Sequence, residues 1–414
     1  MFVEAGAIIA FTKLNGDKGS DTRRISGATM RRILIVTTGR SDYGLCRPVM
    51  DRIAEEPGLD YSLLVSGAHL SERSGLTVRE IEADGRPIAA RIRARETLGQ
   101  PAAMAAAMGE ITLASAEFLA KSPPDILLVL GDRFEMFAVA AAAVPLNIPI
   151  AHIHGGELSF GAIDDAFRHA LTKLAHLHFA ATEEYSQRIM RMGEEPWRVM
   201  VSGAPGIDTI VRTPLPTDVE LAARFDLVLK PSPVLMTFHP VTRQFEDARQ
   251  QVGELLAALA NFDIPIVVSA PNADAGSDTI RAAISAFAAT RPLVRIVENF
   301  GSLYYLAMLR EAAVMIGNSS SGIVEAPSFH LPTVNVGDRQ EGRTRAPSVI
   351  DTPCERGPIT EALTRALNPH FREGLKGMVN PYGDGGAAER IVRVLASVPL
   401  DNQLVAKRFY DSIR

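Results

Sequence analysis

From Ile33 onward, short runs of branched and aliphatic residues alternate with longer stretches of helical spacing, and the alternation continues almost to the end of the chain. Few folds accept that pattern other than α/β domains with largely parallel sheets. The candidate strands are ILIVT (33–37), SLLVS (62–66), ILLVL (126–130), IPIAHI (148–153), LHFAAT (177–182), RVMVSG (198–203), VLMTF (234–238), IPIVVS (264–269), LVRIV (293–297), AVMIG (313–317) and PTVNV (332–336). They are nearly continuously apolar, as strands are when helices cover both faces of a sheet. Helices are expected over 101–120, 134–144, 164–175, 245–260 and 388–398. In the first, Met104, Met108, Ile111, Ser115 and Phe118 share a face.

A chain of 414 residues holds roughly two or three domains. Proline punctuation is dense over 204–232, which suits a boundary. The reading is therefore two doubly wound, Rossmann-like domains, 31–205 and 206–396. Residues 1–30 are polar and Gly/Ser-rich after one short apolar piece, and read as a disordered extension with Met30 as an alternative start. Residues 397–414 form a tail that packs back on the first domain.

Composition excludes several functions. Lys and Arg number 43 against 48 Asp and Glu, a net charge of −5, which argues against a nucleic-acid partner. No apolar run approaches the ~18 residues that a membrane span needs, so no membrane partner is expected. Two distant cysteines, Cys46 and Cys354, form no disulfide framework and fit a reducing cytoplasm.

In such sheets ligands bind beyond the carboxyl ends of the strands, so the residues after each strand carry the chemistry. ILIVT is followed by TGRSDYG (38–44). There Gly39 permits a turn, and Arg40 offers a guanidinium beside a helix expected to start near Tyr43, a phosphate cradle. No GxGxxG is present, so a dinucleotide fingerprint is absent. ILLVL leads into GDRFE (131–135), where Asp132 is either a helix N-cap or a functional acid and Arg133 can pair with Glu135. IPIAHI leads into HGGELSFGAIDDAFRH (154–169), the densest polar cluster. Glu157 follows two glycines, Asp164 and Asp165 open a helix, and Asp164 and Arg168 share a face at a spacing of four. His152, His154 and His169 raise a metal question, but neither their spacing nor any accompanying Cys or HExxH supports it, and no metal is expected.

In the second half, VLMTF runs into HPVTR (239–243), which places His239 at a strand end. AVMIG runs into NSSSGIVEAPS (318–328). The hydroxyls and amides of Asn318, Ser319, Ser320, Ser321 and Gly322 lead a helix and offer an anion site, with Glu325 one turn inside to accept from a ribose. GDRQEGRTR (337–345) carries three arginines with no evident packing role. One half thus offers carboxylates and the other phosphate and ribose binders, which suits a nucleotide-sugar.

TGRSDYG, GDRFE, IHGGE with DDAFRH, TEEYSQRI, FHPVTR and GNSSSGIVEAPSF resemble the hydrolysing UDP-N-acetylglucosamine 2-epimerase family of bacterial sialic- and legionaminic-acid pathways, over roughly residues 32–396. The chain is more distantly similar to the non-hydrolysing enzymes, whose first motif has a proline, a glutamate and a downstream lysine where Ser41, Asp42 and Tyr43 stand here. The family's first loop has threonine-glycine-threonine-arginine; here Thr37-Thr38-Gly39-Arg40 moves the glycine one place.

The resemblance implies a GT-B-like fold, two Rossmann-like domains with the active site in the interdomain cleft. It implies a UDP-sugar substrate, no cofactor and a cytoplasmic homodimer or homotetramer. It implies elimination of UDP to a 2-acetamidoglucal, then hydration to the free 2-epimer. Asp132, Glu157, Asp164 and Arg168 match the family's catalytic positions. Arg40, His239, Asn318, Ser319, Ser320, Ser321, Gly322 and Glu325 match its substrate-binding positions. UDP-N-acetylglucosamine and UDP-2,4-diacetamido-2,4,6-trideoxyglucose both remain as substrates, with a GT-B glycosyltransferase as the other class.

Overall fold

The computed structural model describes residues 30–97, 100–159, 163–240, 246–271 and 277–411, together with the two-residue strand Ile9–Ala10. The rest of the extension before Met30, and residues 241–243 of the HPVTR motif, lie outside the described residues.

The chain forms two compact units. Of the described residues, the first contains those up to Glu157, then Ile163–Gly206 and those from Gly386 on, and the second those within Leu158–Ala162 and Ile207–Gly385. This corrects the sequence boundary at 396. The apolar stripe of helix Ala387–Ser397 is spent on the first unit, where Ile391, Val392 and Leu395 join Val49, Met50 and Ile53 of helix Arg40–Glu55 in one core.

The first sheet runs in the order Ile9–Ala10, Ile88–Ile92, Leu59–Val65, Arg31–Thr37, Ile126–Leu130, Ile150–Ile153, Leu177–Ala180, Val199–Val201. All neighbours are parallel except the first pair. The second sheet is parallel throughout, in the order Val294–Val297, Ile266–Ser269, Val234–Thr237, Val314–Gly317, Thr333–Val336, Val349–Thr352. Each sheet carries apolar clusters on both faces, as the unbroken strands required. Every strand read from the sequence is present. Ile88–Ile92 and Val349–Thr352 are additional, as is Ile9–Ala10, which pairs with Ile88–Ile92 within the extension read as disordered.

Helix Pro101–Lys121 is long and apolar enough by composition to cross a membrane, although no unbroken apolar run marks it in the sequence. Its alanines and methionines supply that character. Ala107, Ile111, Ala114, Phe118 and Leu119 are buried in the core against helix Phe134–Ala143.

The C-terminal segment closes the first unit through a buried charge cluster. Glu194, fully buried, accepts from Lys173 Nζ at 2.6 Å and pairs with His178 Nε2 at 3.0 Å and Lys407 Nζ at 2.7 Å. Burial pushes the Glu194 carboxyl up, but these contacts outweigh it and hold the group at about 2. Lys407 also donates to the Lys173 and Ala175 carbonyls, and the buried Arg198 donates to those of Gln403 and Leu404.

Candidate active site

In each sheet the strand order reverses once, and in doubly wound folds the ligand crevice opens at that point. In the first unit the reversal lies between Arg31–Thr37 and Ile126–Leu130, and in the second between Val234–Thr237 and Val314–Gly317. The residues leaving these four strands are Thr38 to Asp42, Gly131 to Glu135, Phe238 to Pro240 and Asn318 to Gly322.

Asp132 is not the cap of the helix that follows. The N-cap of Phe134–Ala143 is Arg133, which makes no side-chain cap bond. Asp132 instead pairs with the buried Arg168, which also lies 3.5 Å from Asp165. Asp164 and Arg168 share a helix face, but the ion pairs of Arg168 are with Asp132 and Asp165. Arg168 reaches across to another strand end, because a charge this deeply buried needs close partners. Burial, then the negative charge of Asp132, raises the Asp164 carboxyl above its ordinary value. Arg133 does pair with Glu135, at 3.2 Å.

Glu157 is buried, and its Oε1 lies 2.6 Å from His154 Nδ1. His152, fully buried, bonds through Nε2 to the Gly131 carbonyl at 2.8 Å, tying the HGGE loop to the loop carrying Asp132. Burial pushes His152 down to about 3, so it stays neutral. Among the described residues, no three His, Cys, Asp or Glu side chains are grouped to hold a metal ion.

Arg40 departs from the reading. It opens helix Arg40–Glu55, three residues earlier than expected, and its guanidinium is held by Glu80 with both side chains about half-exposed. Gly39 is extended, at φ −166°, so the loop does not depend on its being glycine. Beneath it lies a network that the sequence did not reveal. Asp42, buried, accepts from Thr37 Oγ1 at 2.5 Å, Thr38 Oγ1 at 2.6 Å and the Thr38 amide at 3.1 Å. His69 bridges Thr37 Oγ1 at 2.9 Å and Thr77 Oγ1 at 2.8 Å, and burial lowers it to about 4.

In the second unit, Asn318 and His239 form a two-way clasp. The His239 amide donates to Asn318 Oδ1 at 2.7 Å, and Asn318 Nδ2 donates to the His239 carbonyl at 2.8 Å. The clasp fixes the backbone of both strand ends and leaves the imidazole outside it. Burial and the positive charge of Arg339 push His239 down to about 4. The Asn318 carbonyl accepts from Arg339 Nη1 at 3.0 Å and Gln340 Nε2 at 2.9 Å. Arg345 is held by Asp351 at 3.1 Å, so the loop arginines Arg339 and Arg345 do have structural partners.

The helix after the serines is Ser321–Val324, four residues long, with Glu325 as its C-cap. It is too short to supply the dipole expected from a full helix, and Glu325 stands at its end, not one turn inside. What remains for an anion are the loop's hydroxyls and amides. The Ser319 Oγ already accepts from the Ser321 amide at 3.3 Å. Tyr305, also missed, enters this loop with its hydroxyl 3.4 Å from Thr237 Oγ1. Burial raises it, and Ser321, Ser319 and Glu325 act on it as well.

Gly317, just before the loop, has φ +136°, and a Cβ there would sit 1.9 Å from the Thr237 carbonyl oxygen. Gly317→Ala is therefore expected to destabilise the second unit by about 3 kcal/mol or more, since backbone collides with backbone in a glycine-only conformation. Gly253→Ala, in the open on helix Ala248–Leu259, should instead gain about 0.5–1 kcal/mol. Urea midpoints of the two variants check the pair, and equal midpoints would refute it.

The profile of the UDP-N-acetylglucosamine 2-epimerase family matches residues 51–396. A Legionella pneumophila protein named UDP-N,N'-diacetylbacillosamine 2-epimerase (hydrolyzing) is 38% identical over 91% of this chain and 99% of its own. Polysialic acid biosynthesis protein P7 of Escherichia coli is 34% identical over 92% and 98%. A Neisseria meningitidis UDP-N-acetylglucosamine 2-epimerase is 30% identical over 92% and 99%. Among solved structures, a Listeria monocytogenes putative UDP-N-acetylglucosamine 2-epimerase superposes with a TM-score of 0.76 at 17% identity, over 89% of this chain and 96% of that one. A solved structure of a UDP-GlcNAc 2-epimerase from Neisseria meningitidis bound to UDP-GlcNAc gives 0.74 at 18%, over 88% and 99%. The chain belongs to the UDP-N-acetylglucosamine 2-epimerase family, and its fold is GT-B-like.

Proposed function

We propose that this family member is a hydrolysing 2-epimerase that converts UDP-N-acetylglucosamine, or a close analogue, to UDP and the free 2-epimer, N-acetylmannosamine in the first case. The observation that carries the reading is the carboxylate–guanidinium cluster of Asp132, Asp164 and Arg168 at the first unit's reversal point. Inversion at C2 requires a proton to leave a weakly acidic carbon. Elimination makes that possible. As a base takes the C2 proton, the C–H electron pair forms the C1=C2 double bond, and the C1–O pair departs with the diphosphate. Water then adds across the glycal, its oxygen to C1 and a proton to C2. Inversion needs the returning proton to arrive on the opposite face, so two different groups must handle it. Asp132, Glu157 and Asp164 are the carboxylates that support this proton chemistry, and Arg168 offsets their charge.

In the same reading the second unit holds the nucleotide. His239, Asn318, Ser319, Ser320, Ser321 and Gly322 face the diphosphate, and Glu325 accepts from the ribose. Arg40, in the first unit, binds a phosphate by giving up Glu80. An ion pair as exposed as Arg40–Glu80 contributes little, so the exchange costs little. The chemistry needs no redox cofactor, because UDP is a good leaving group.

A second substrate, a UDP-2,4-diacetamido sugar, is favoured by the name of the Legionella relative. The test is turnover of both UDP-sugars in deuterated water, followed by NMR. The expected result is one deuterium at C2 of the product and one UDP per sugar released, with the faster substrate identifying the sugar. Protium retained at C2 would overturn proton abstraction.

A further inference from the structure

His154 takes no part in the scheme above, yet the fold holds it in a costly geometry. Its backbone is left-handed, at φ +64°, a conformation that costs a Cβ-bearing residue about 1 kcal/mol or more. The loop around it is fixed on every side. The His154 amide donates to the Phe179 carbonyl at 3.1 Å. Gly156, at φ +77°, leaves no room for a Cβ, which would lie 2.5 Å from the Tyr185 carbonyl oxygen. Arg188 donates to the Gly156 carbonyl at 2.5 Å.

The imidazole is only 13% exposed, and its Nδ1 lies 2.6 Å from Glu157 Oε1. A carboxylate can only accept, so Nδ1 carries the hydrogen and the Nε2 lone pair is free to accept a proton. Nε2 is buried and has no hydrogen-bond partner among the described residues. A buried basic nitrogen left open, on a strained residue beside a carboxylate, is the arrangement of a histidine base with its orienting acid. His152 and His69 use both nitrogens, whereas His178 beside Glu194 also leaves one open; what sets His154 apart is that its open nitrogen is carried on a left-handed backbone at a strand end of the site.

We propose that His154 Nε2 is the base that removes the C2 proton in the elimination step, and that Glu157 acts through it as a positioning residue. The proton moves from C2 to Nε2, the C2–H pair becomes the C1=C2 bond, and UDP leaves with the C1–O pair. Glu157 holds the tautomer and offsets the imidazolium that forms. This rests on the 2-epimerase reading. It also assigns the two faces to different groups: His154 takes the proton on one, and Asp164 returns one on the other.

The test uses His154→Asn, Glu157→Gln and the double variant. Asparagine tolerates the left-handed backbone, and its Nδ2 can still donate to Glu157, so the loop is kept while Nε2 is lost. Each protein is offered UDP-N-acetylglucosamine and, separately, authentic 2-acetamidoglucal with UDP. His154→Asn should lose about 10²–10⁴ in turnover of the UDP-sugar while glycal hydration changes less than about tenfold, with added imidazole restoring part of the elimination. Glu157→Gln should slow elimination by less, and the double variant should be no slower than His154→Asn alone, because residues acting as one unit are not additive. Parental elimination in His154→Asn, equal losses in both assays, or additive losses in the double variant would overturn the proposal. If the parent protein itself releases no UDP from either UDP-sugar, the 2-epimerase reading fails and takes this inference with it. A competent parent with an unaffected His154→Asn variant removes the inference alone.

Discussion

Asp164→Asn is expected to bind UDP as the parent does and to turn over more slowly by about two to four orders of magnitude, the usual cost of losing a general acid or base. Asp164 sits in the first turn of helix Ile163–Leu174, within the field of Asp132, and both burial and that charge favour its protonated form. A carboxyl that keeps its proton nearer neutrality is suited to returning one to C2. Asparagine preserves shape and hydrogen bonding but has no proton to give. The helix loses one favourable first-turn charge, about 0.3–1 kcal/mol, so the melting temperature should move by only a few degrees. Kinetics with UDP calorimetry on the same preparation separates the two readings. A variant that keeps more than a tenth of parental turnover but melts early would make Asp164 a helix-start residue and nothing more.

The second large effect is acid lability, concentrated in the first unit. Burial pushes His69 and His176 to about 4 and His152 to about 3, and all three belong to that unit; His239, at about 4, belongs to the second. In the unfolded chain each would titrate near ~6.5. Below that pH the unfolded state binds protons that the native state refuses, so stability falls with pH until the folded values are passed. The loss is on the order of 2–3 kcal/mol per histidine, against a typical total of about 5–15 kcal/mol. Glu194 adds to it lower down, because its depressed carboxyl stabilises the fold above its ordinary value and that contribution fades as pH drops toward about 2. Calorimetric melting from pH 7.5 to 4 should show the first unit's transition falling steeply below pH 6.5, and the second unit's less. A transition that stays flat to pH 4 would show that these histidines take up protons within the native state.

The sequence located the sheet centres well because a strand covered on both faces must be apolar throughout. Ile126–Leu130 has the bounds read from ILLVL. Ile88–Ile92 and Val349–Thr352 escaped because neither is uniformly buried, and Arg91 and Asp351 interrupt their apolar runs. The candidate residues were found through their position after strands, a local property. Their partners were not. Arg168 lies four residues from Asp164, yet its ion pair is with Asp132, thirty-six positions away. The short helix after Asn318, the Asp42–Thr37–His69 network and the Tyr305 hydroxyl likewise depend on contacts between distant segments. His154 was visible only as one of three neighbouring histidines. Its backbone angle and its open nitrogen have no local signature.

The return of the chain at Gly386 bears on how the protein is made. The first unit's core includes Ile391, Val392, Leu395, Val398 and Leu404, and its buried Glu194 is met by Lys407. A ribosome adds roughly 5–20 residues per second and releases the N-terminal segments first. The first unit therefore has to wait, with part of its apolar interior uncovered, while the whole of Ile207–Gly385 is synthesised. The second unit, complete once Gly385 has been added, can mature during that interval. A message truncated after residue 386 would leave a finished second unit joined to a first unit that cannot close, and degradation or aggregation in the cell would begin from that exposed interior.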